Sequence, residues 1–159
     1  DEAYEPENRS IKECVIMGFK ISLPKGSLIE IESVTDTWNK LTEHNRGALE
    51  MSTERIEDTK RMANGTLRKY YVADKKSFSM SWDFVPGAQT HLVDTAWSVN
   101  DLQTFYNSAT GKASFRIRIK KADGTYEGPY TVIFSGFSPT IVKRGVDTFY
   151  NLSIEMQEV

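Results

Sequence analysis

Strict alternation of apolar and polar residues constrains this chain more than any other feature. Phe78, Met80, Trp82 and Phe84 alternate with Ser77, Ser79, Ser81 and Asp83. Phe115, Ile117 and Ile119 alternate with Ser114, Arg116, Arg118 and Lys120, and Tyr150, Leu152, Ile154 and Met156 form a third such series. A period of two sends successive side chains to opposite faces of a strand, and a one-residue slip would exchange those faces. These series therefore predict half-buried strands whose inward residues, Phe78, Met80, Trp82, Phe115, Ile117, Ile119, Leu152 and Ile154, share one core.

The remaining segments fill in a mainly β chain. Residues 15–22 (VIMGFKIS) and 28–34 (LIEIESV) read as two strands joined by a proline–glycine turn at 23–26, a plausible hairpin. Residues 35–48 break the alternation and read as a long loop with room for one helical turn at Trp38 and Leu41. Residues 49–62 are a mixed-charge ribbon, and 66–72 return as a strand after Asn64-Gly65, the sequence signal of a type I′ hairpin turn with positive φ at both positions. Pro86-Gly87 ends the next strand. A helix is expected over about 98–110, with Ser98 and Asp101 as a capping box, Val99, Leu102, Phe105, Tyr106 and Ala109 on its apolar face and Gly111 as a left-handed stop. Strands at 115–120, 131–137 and 148–158 follow, with a turn at 122–125, a bulge at Gly136 and a continuation at 140–143 beyond a kink at Pro139. The count is about eight strands and one helix. With 159 residues the chain is expected to form a single domain, with an acidic arm at 1–10 and a loop-and-hairpin arm at 35–66.

Composition narrows the function classes. Twenty basic against 22 acidic residues give a net charge of −2, which argues against a dedicated nucleic-acid binder. No apolar run is long enough for a membrane helix, and residues 1–8 are acidic where a signal peptide is basic and apolar. Cys14, His44 and His91 fit no zinc-ligand spacing, and no Walker loop, dinucleotide fingerprint or HExxH occurs. Cys14 reads as a small packed side chain and the two histidines as surface residues. Asn8, Asn64 and Asn151 match a three-residue glycosylation pattern too short to carry weight. No pair of carboxylates stands out for glycoside hydrolysis. Neither an enzymatic activity nor a cofactor or metal is expected.

Charge patterning says more. Arg116, Arg118 and Lys120 make a basic stripe opposite an apolar face, which reads as a solvated surface or as a patch for an acidic partner such as residues 1–7 of another copy. Arg55, Lys60 and Arg61 belong to the ribbon at 49–62, an edge protected by charge or an arm that pairs with a neighbour. These six cations are the candidates for contacts between subunits.

The order of elements, with the segments 62–82 (MANGTLRKYYVADKKSFSMSW) and 148–157 (TFYNLSIEMQ), resembles the tail tube (major tail) proteins of long-tailed bacteriophages. The resemblance implies a β-sandwich or barrel with a flanking helix. It also implies a virion protein that forms hexameric rings, stacked with other tail proteins into a tube for DNA passage and assembled in the host cytoplasm. Residues 35–62 and the N-terminal arm would then touch the next ring. Lumens of such tubes tend to be acidic, so the stripe at 115–120 would face outward or a neighbour. Two other readings compete: a tail completion or baseplate protein, and a monomeric carbohydrate-binding sandwich using Trp38, Trp97, Tyr70 or Tyr71 as stacking platforms.

Overall fold

The computed structural model describes residues 28–159. The predicted strand at 15–22, its turn, the acidic arm and Cys14 lie outside the described residues. Within them, seven strands form one antiparallel sheet: β1 (Ile29–Val34), β2 (Thr37–Lys40), β3 (Glu50–Arg61), β4 (Leu67–Pro86), β5 (Phe115–Lys120), β6 (Tyr126–Arg144) and β7 (Thr148–Glu158). Their order is β2-β1-β5-β6-β7-β4-β3. Two helices, α1 (Val99–Asn107) and α2 (Ala109–Lys112), join β4 to β5 after a 3-10 turn at Gln89–His91. A mainly β chain with a flanking helix is what the alternation predicted.

The alternating series build the core. Phe78, Met80 and Trp82 from β4, Phe115, Ile117 and Ile119 from β5, and Leu152, Ile154 and Met156 from β7 are all buried in one cluster with Ile29 and Ile31 of β1. Strands from both halves of the sheet thus face one another, and the sheet curls around the cluster. Residues 41–47 complete the curl. Leu41 N–H donates to the Ile29 carbonyl at 3.0 Å, while Gly47 N–H donates to the Ser81 carbonyl and Asp83 N–H to the Asn45 carbonyl. Trp82 Nε1 donates to the Thr42 carbonyl at 2.8 Å. The chain leaving β2 therefore crosses to the far end of the sheet and runs on into β3.

Helix α1 covers the core with Val99, Leu102 and Phe105, and Phe105 meets Phe115 edge-on at 5.2 Å. Asp101 accepts the Ser98 N–H at 3.1 Å, as a capping box requires, and the Ser98 hydroxyl donates to the Pro86 carbonyl, tying the helix start to the end of β4. Tyr106 remains partly exposed but stacks on Phe137 at 4.6 Å. Ala109 is exposed in α2 and does not extend the apolar face.

Several expectations give way to specific geometry. Residues 35–40 are a hairpin rather than loop or helix, because Asp36 adopts φ 62° and Glu32 accepts its N–H at 2.7 Å, a turn with no glycine to announce it. β1 pairs with β2 on one edge and with β5 on the other. Phe84 does not point inward. The register shifts between Trp82 and Val85, which turns Phe84 outward onto Phe149 at 4.6 Å and buries Val85 in its place. The Asn64-Gly65 hairpin forms, but only Gly65 has positive φ (81°). Gly65 N–H donates to the Met62 carbonyl and Met62 N–H to the Thr66 carbonyl, a three-residue loop closing on a left-handed glycine instead of type I′. The turn at Gly124 repeats the pattern, with Asp123 accepting the Thr125 N–H as Asn64 accepts that of Thr66. Gly111 is no left-handed stop. It sits inside α2, where a Cβ would lie 2.0 Å from the Phe105 carbonyl oxygen. The predicted bulge at Gly136 is present, within one continuous β6 that runs through Pro139.

Truncating Ile117, which is 1% exposed, should cost about 2–5 kcal/mol in denaturant unfolding. The outward neighbour Thr131 should tolerate alanine within about 0.5 kcal/mol.

Candidate functional site

Among the described residues, side chains suited to catalysis do not converge. No group of three or more His, Cys, Asp or Glu among the described residues is placed to hold a metal. His91 Nδ1 lies 3.1 Å from Asp147 Oδ2, and that carboxylate also accepts the Ala88 N–H at 2.8 Å, so the pair fastens one loop to the start of β7. Burial pushes the Asp147 carboxyl up, but the N–H groups of Ala88 and Thr148 and the His91 ring together hold it below its ordinary value. His44 is exposed.

Three surface regions stand out instead. The first is the β3–β4 hairpin. β4 is 20 residues long, and β7 pairs with it only from Ser77 onward. Before that point β4 pairs with β3 alone, so residues 53–76 project as a two-stranded ribbon about 30 Å long. Every residue of β3 is exposed. Arg55 reaches Asp74 through Nε at 2.9 Å and Nη2 at 3.3 Å, Lys69 meets Glu57 at 2.5 Å, and Lys60 meets Asp58 at 2.9 Å. Hydrogen bonding to Arg55 holds the Asp74 carboxyl below its ordinary value. Arg61 donates to the Gly65 carbonyl at 3.3 Å. Ile56, Leu67, Tyr70, Tyr71 and Val72 are exposed on the same ribbon, Val72 by 68%.

The second region is the outer face of β2, β1 and β5. Arg118 donates to Glu30 at 2.6 Å, and its guanidinium lies 4.2 Å from the Trp38 ring and 3.9 Å from the Tyr126 ring. Arg116 grips both oxygens of Glu32. Glu30 and Glu32 are buried beneath them, 3% and 8% exposed. Lys120 lies 5.8 Å from the Tyr126 ring. The basic stripe read from sequence thus meets an acidic stripe from β1, which strand pairing alone brings opposite it. Trp38 is covered by these arginines and Trp97 tilts onto Phe105 at 5.5 Å, while Tyr70 and Tyr71 lie on the ribbon. The structure does not bring Arg55, Lys60 and Arg61 together with Arg116, Arg118 and Lys120: β6, β7 and β4 lie between β5 and β3.

The third region is the outer face of β4, β7 and β6, which inward-facing patterns left unread. Ser77 pairs with Gln157, Ser79 with Glu155 and Ser81 with Ser153, and across the next ladder Ser153 pairs with Ser138 and Asn151 with Thr140. Ser135 and Ser52 line the same depression. Residues 77–83, 151–157 and 133–140 contain no Lys or Arg, and their only charges are Asp83 and Glu155. The signal was present in the sequence as the polar half of each alternating series.

No protein-family model and no curated protein matches this chain. Among solved structures, it is similar to a chain in the tail of an empty GTA particle, determined by helical refinement with C6 symmetry. The similarity covers 84% of this chain and 90% of that one at 14% identity, with a TM-score of 0.52. The likeness is one of fold.

Replacing Arg118 with leucine should cost about 3 kcal/mol in chemical denaturation, because Glu30 is left buried without its partner. Replacing Glu30 and Arg118 both with leucine should cost less than the single change. Glu32 is held below its ordinary value of 4.5 by hydrogen bonding to Arg116, against the opposing effect of burial. Its contribution to stability is therefore complete above that ordinary value and lost as pH falls through the lower folded value. Melting curves taken across the acid range should show a shallower decline for Glu32→Gln than for the parent chain.

Proposed function

We propose that this chain is a structural subunit of a phage-like tail, not an enzyme, and that copies close into hexameric rings that stack into a tube for DNA passage. The observation that carries the reading is the likeness of fold to a C6-symmetric tail chain over most of both lengths. The surfaces fit the role. A duct for DNA has to avoid holding a polyanion, and each lysine or arginine against phosphate adds a favourable counterion-release contribution. Over residues 77–83, 133–140 and 151–157 the outer face of β4, β6 and β7 offers hydroxyls, amides and two carboxylates without a cation, and we assign this stretch to the bore. The face of β2, β1 and β5, with its paired arginines, then lies away from the bore. The β3–β4 hairpin, projecting beyond the core with exposed aromatics, contacts the next ring. Several weak contacts per subunit, repeated around a ring, add up through multivalency. On this reading the protein resides in the tail of a particle, assembles in the host cytoplasm and meets other tail proteins at the ends of the tube.

Electron microscopy of the purified full chain, with and without a tail-tip initiator, tests this. Rings or tubes are expected. The triple variant Arg55→Glu, Lys60→Glu, Arg61→Glu should keep its circular dichroism spectrum and lose stacking. A full-length chain that stays monomeric at high concentration with the initiator present would overturn the proposal.

A further inference from the structure

Two groups of exposed apolar side chains stay outside the core, and the strand registers fix where each lies. The first is on the β3–β4 arm. Ile56 pairs with Ala73 and Asp58 with Tyr70, so Ile56 and Tyr70 share one side of the ribbon, the side continuous with Ser52 and Ser77. Val72, the extra residue where the ladder shifts register, sits next to them and is exposed. The opposite side of the arm carries the ion pairs Arg55–Asp74 and Glu57–Lys69. The second group forms a ledge on β6 and β7. Pro139 pairs with the buried Leu152 and Ile141 with Tyr150, which places both on the core side of the sheet. Tyr106 of α1 stacks on Phe137 at 4.6 Å, but Ile141 is left 66% exposed. Tyr150 pairs with Val85, near the end of β4 farthest from the arm. The two groups thus occupy opposite ends of the sheet and opposite sides of it.

We propose that the Ile56–Tyr70 side of the arm of one copy lies on the Phe137–Ile141 ledge of a second copy, in a contact that rests on the stacked rings proposed above and supplies their joint. Identical parts can overlap end to end only if each carries one contact surface on its upper side at one end and the other on its lower side at the other end. This chain has that arrangement. The resulting contact is heterologous and does not close along the axis, so it extends a stack without limit. Charge agrees with the overlap. Glu54 lies on the same side of β3 as Ile56, toward the base of the arm, and Arg144 pairs with Thr148 at the end of β6 beyond Ile141. Both are exposed, and neither has an ion-pair partner among the described residues. With the strands of both copies pointing the same way, the base of the arm covers the outer end of the ledge, so Glu54 meets Arg144 while the tip reaches toward Phe137. The cations Lys60 and Arg68 of the arm then lie on the core side of the next sheet, away from a DNA-sized bore that gains nothing from holding phosphate.

Disulfide trapping in a Cys14→Ser background tests the joint. Ile56→Cys or Tyr70→Cys is combined in one chain with Pro139→Cys or Ile141→Cys, and assemblies grown with the tail-tip initiator are oxidised. At least one combination should give a ladder of linked chains that runs past six copies on a non-reducing gel, because the joint passes from ring to ring. Tubes in the microscope with no ladder from any combination would overturn the joint and leave stacking in place. A parent chain that forms neither rings nor tubes would overturn both. A ladder that stops at two copies sets arm against arm, and one that stops at six sets the contact within a ring; either result overturns the proposal. Independently, Glu54→Arg and Arg144→Glu should each lower the pelleted tube fraction about tenfold, with circular dichroism unchanged, and the double reversal should restore it. A double variant as deficient as the single ones would overturn the pairing of Glu54 with Arg144 and the overlap that predicts it.

Discussion

Trp82 fills the middle of the core, and its indole N–H is given to the carbonyl of Thr42. That bond matters because Trp82 belongs to β4, near one end of the sheet, whereas Thr42 follows β2 at the other end. An open sheet has two edges and one apolar face to hide. Here residues 41–47 bring the two ends together, so the apolar face closes on itself and α1 covers what remains. The burial of Ile29 and Ile31 opposite Phe78 and Met80 depends on this closure. A buried polar atom without a partner would be expensive at such a position, and the Thr42 carbonyl supplies the partner.

Closure also divides the outside of the sheet into two unlike halves. On β2, β1 and β5, carboxylates and guanidiniums neutralise each other between Trp38 and Tyr126. Over residues 77–83, 133–140 and 151–157 of β4, β6 and β7, small hydroxyl-bearing side chains line the outer surface and no lysine or arginine occurs. Both halves share the same inward core, and the assignment of the bore rests on the contrast between their outer sides.

The inward face was legible in the sequence because alternation is a local signal. Phe78, Met80, Trp82, Ile117 and Ile154 follow it without exception, and the helix at 99–107 was marked by its cap and apolar spacing. What escaped was set by partners distant in sequence. Arg116 and Arg118 read as an exposed basic stripe until β1 is placed beside β5, and only pairing reveals Glu32 and Glu30 as their counterions. Asp36 and Phe84 adopt positive φ without being glycine or asparagine, so neither the β1–β2 turn nor the bulge that turns Phe84 outward has a compositional mark. The outer hydroxyl face was visible as letters but not as a surface, because it spans three strands that are not all consecutive.

β4 belongs to both the arm and the core. Its residues 67–85 contain neither glycine nor proline, and the one irregularity between the exposed Tyr70 and Tyr71 and the buried Phe78, Met80 and Trp82 is the extra residue Val72, where the ladder with β3 shifts register. The strand runs from the hairpin to Pro86, where the Ser98 hydroxyl holds its last carbonyl. Mechanically it is a beam clamped in the core and free at one end. A sideways load on the tip is resisted by the ladder with β7, which begins at Ser77, and by the packing of Phe78 just inside it. That junction is the fulcrum, and bending of the arm is therefore felt first by the core.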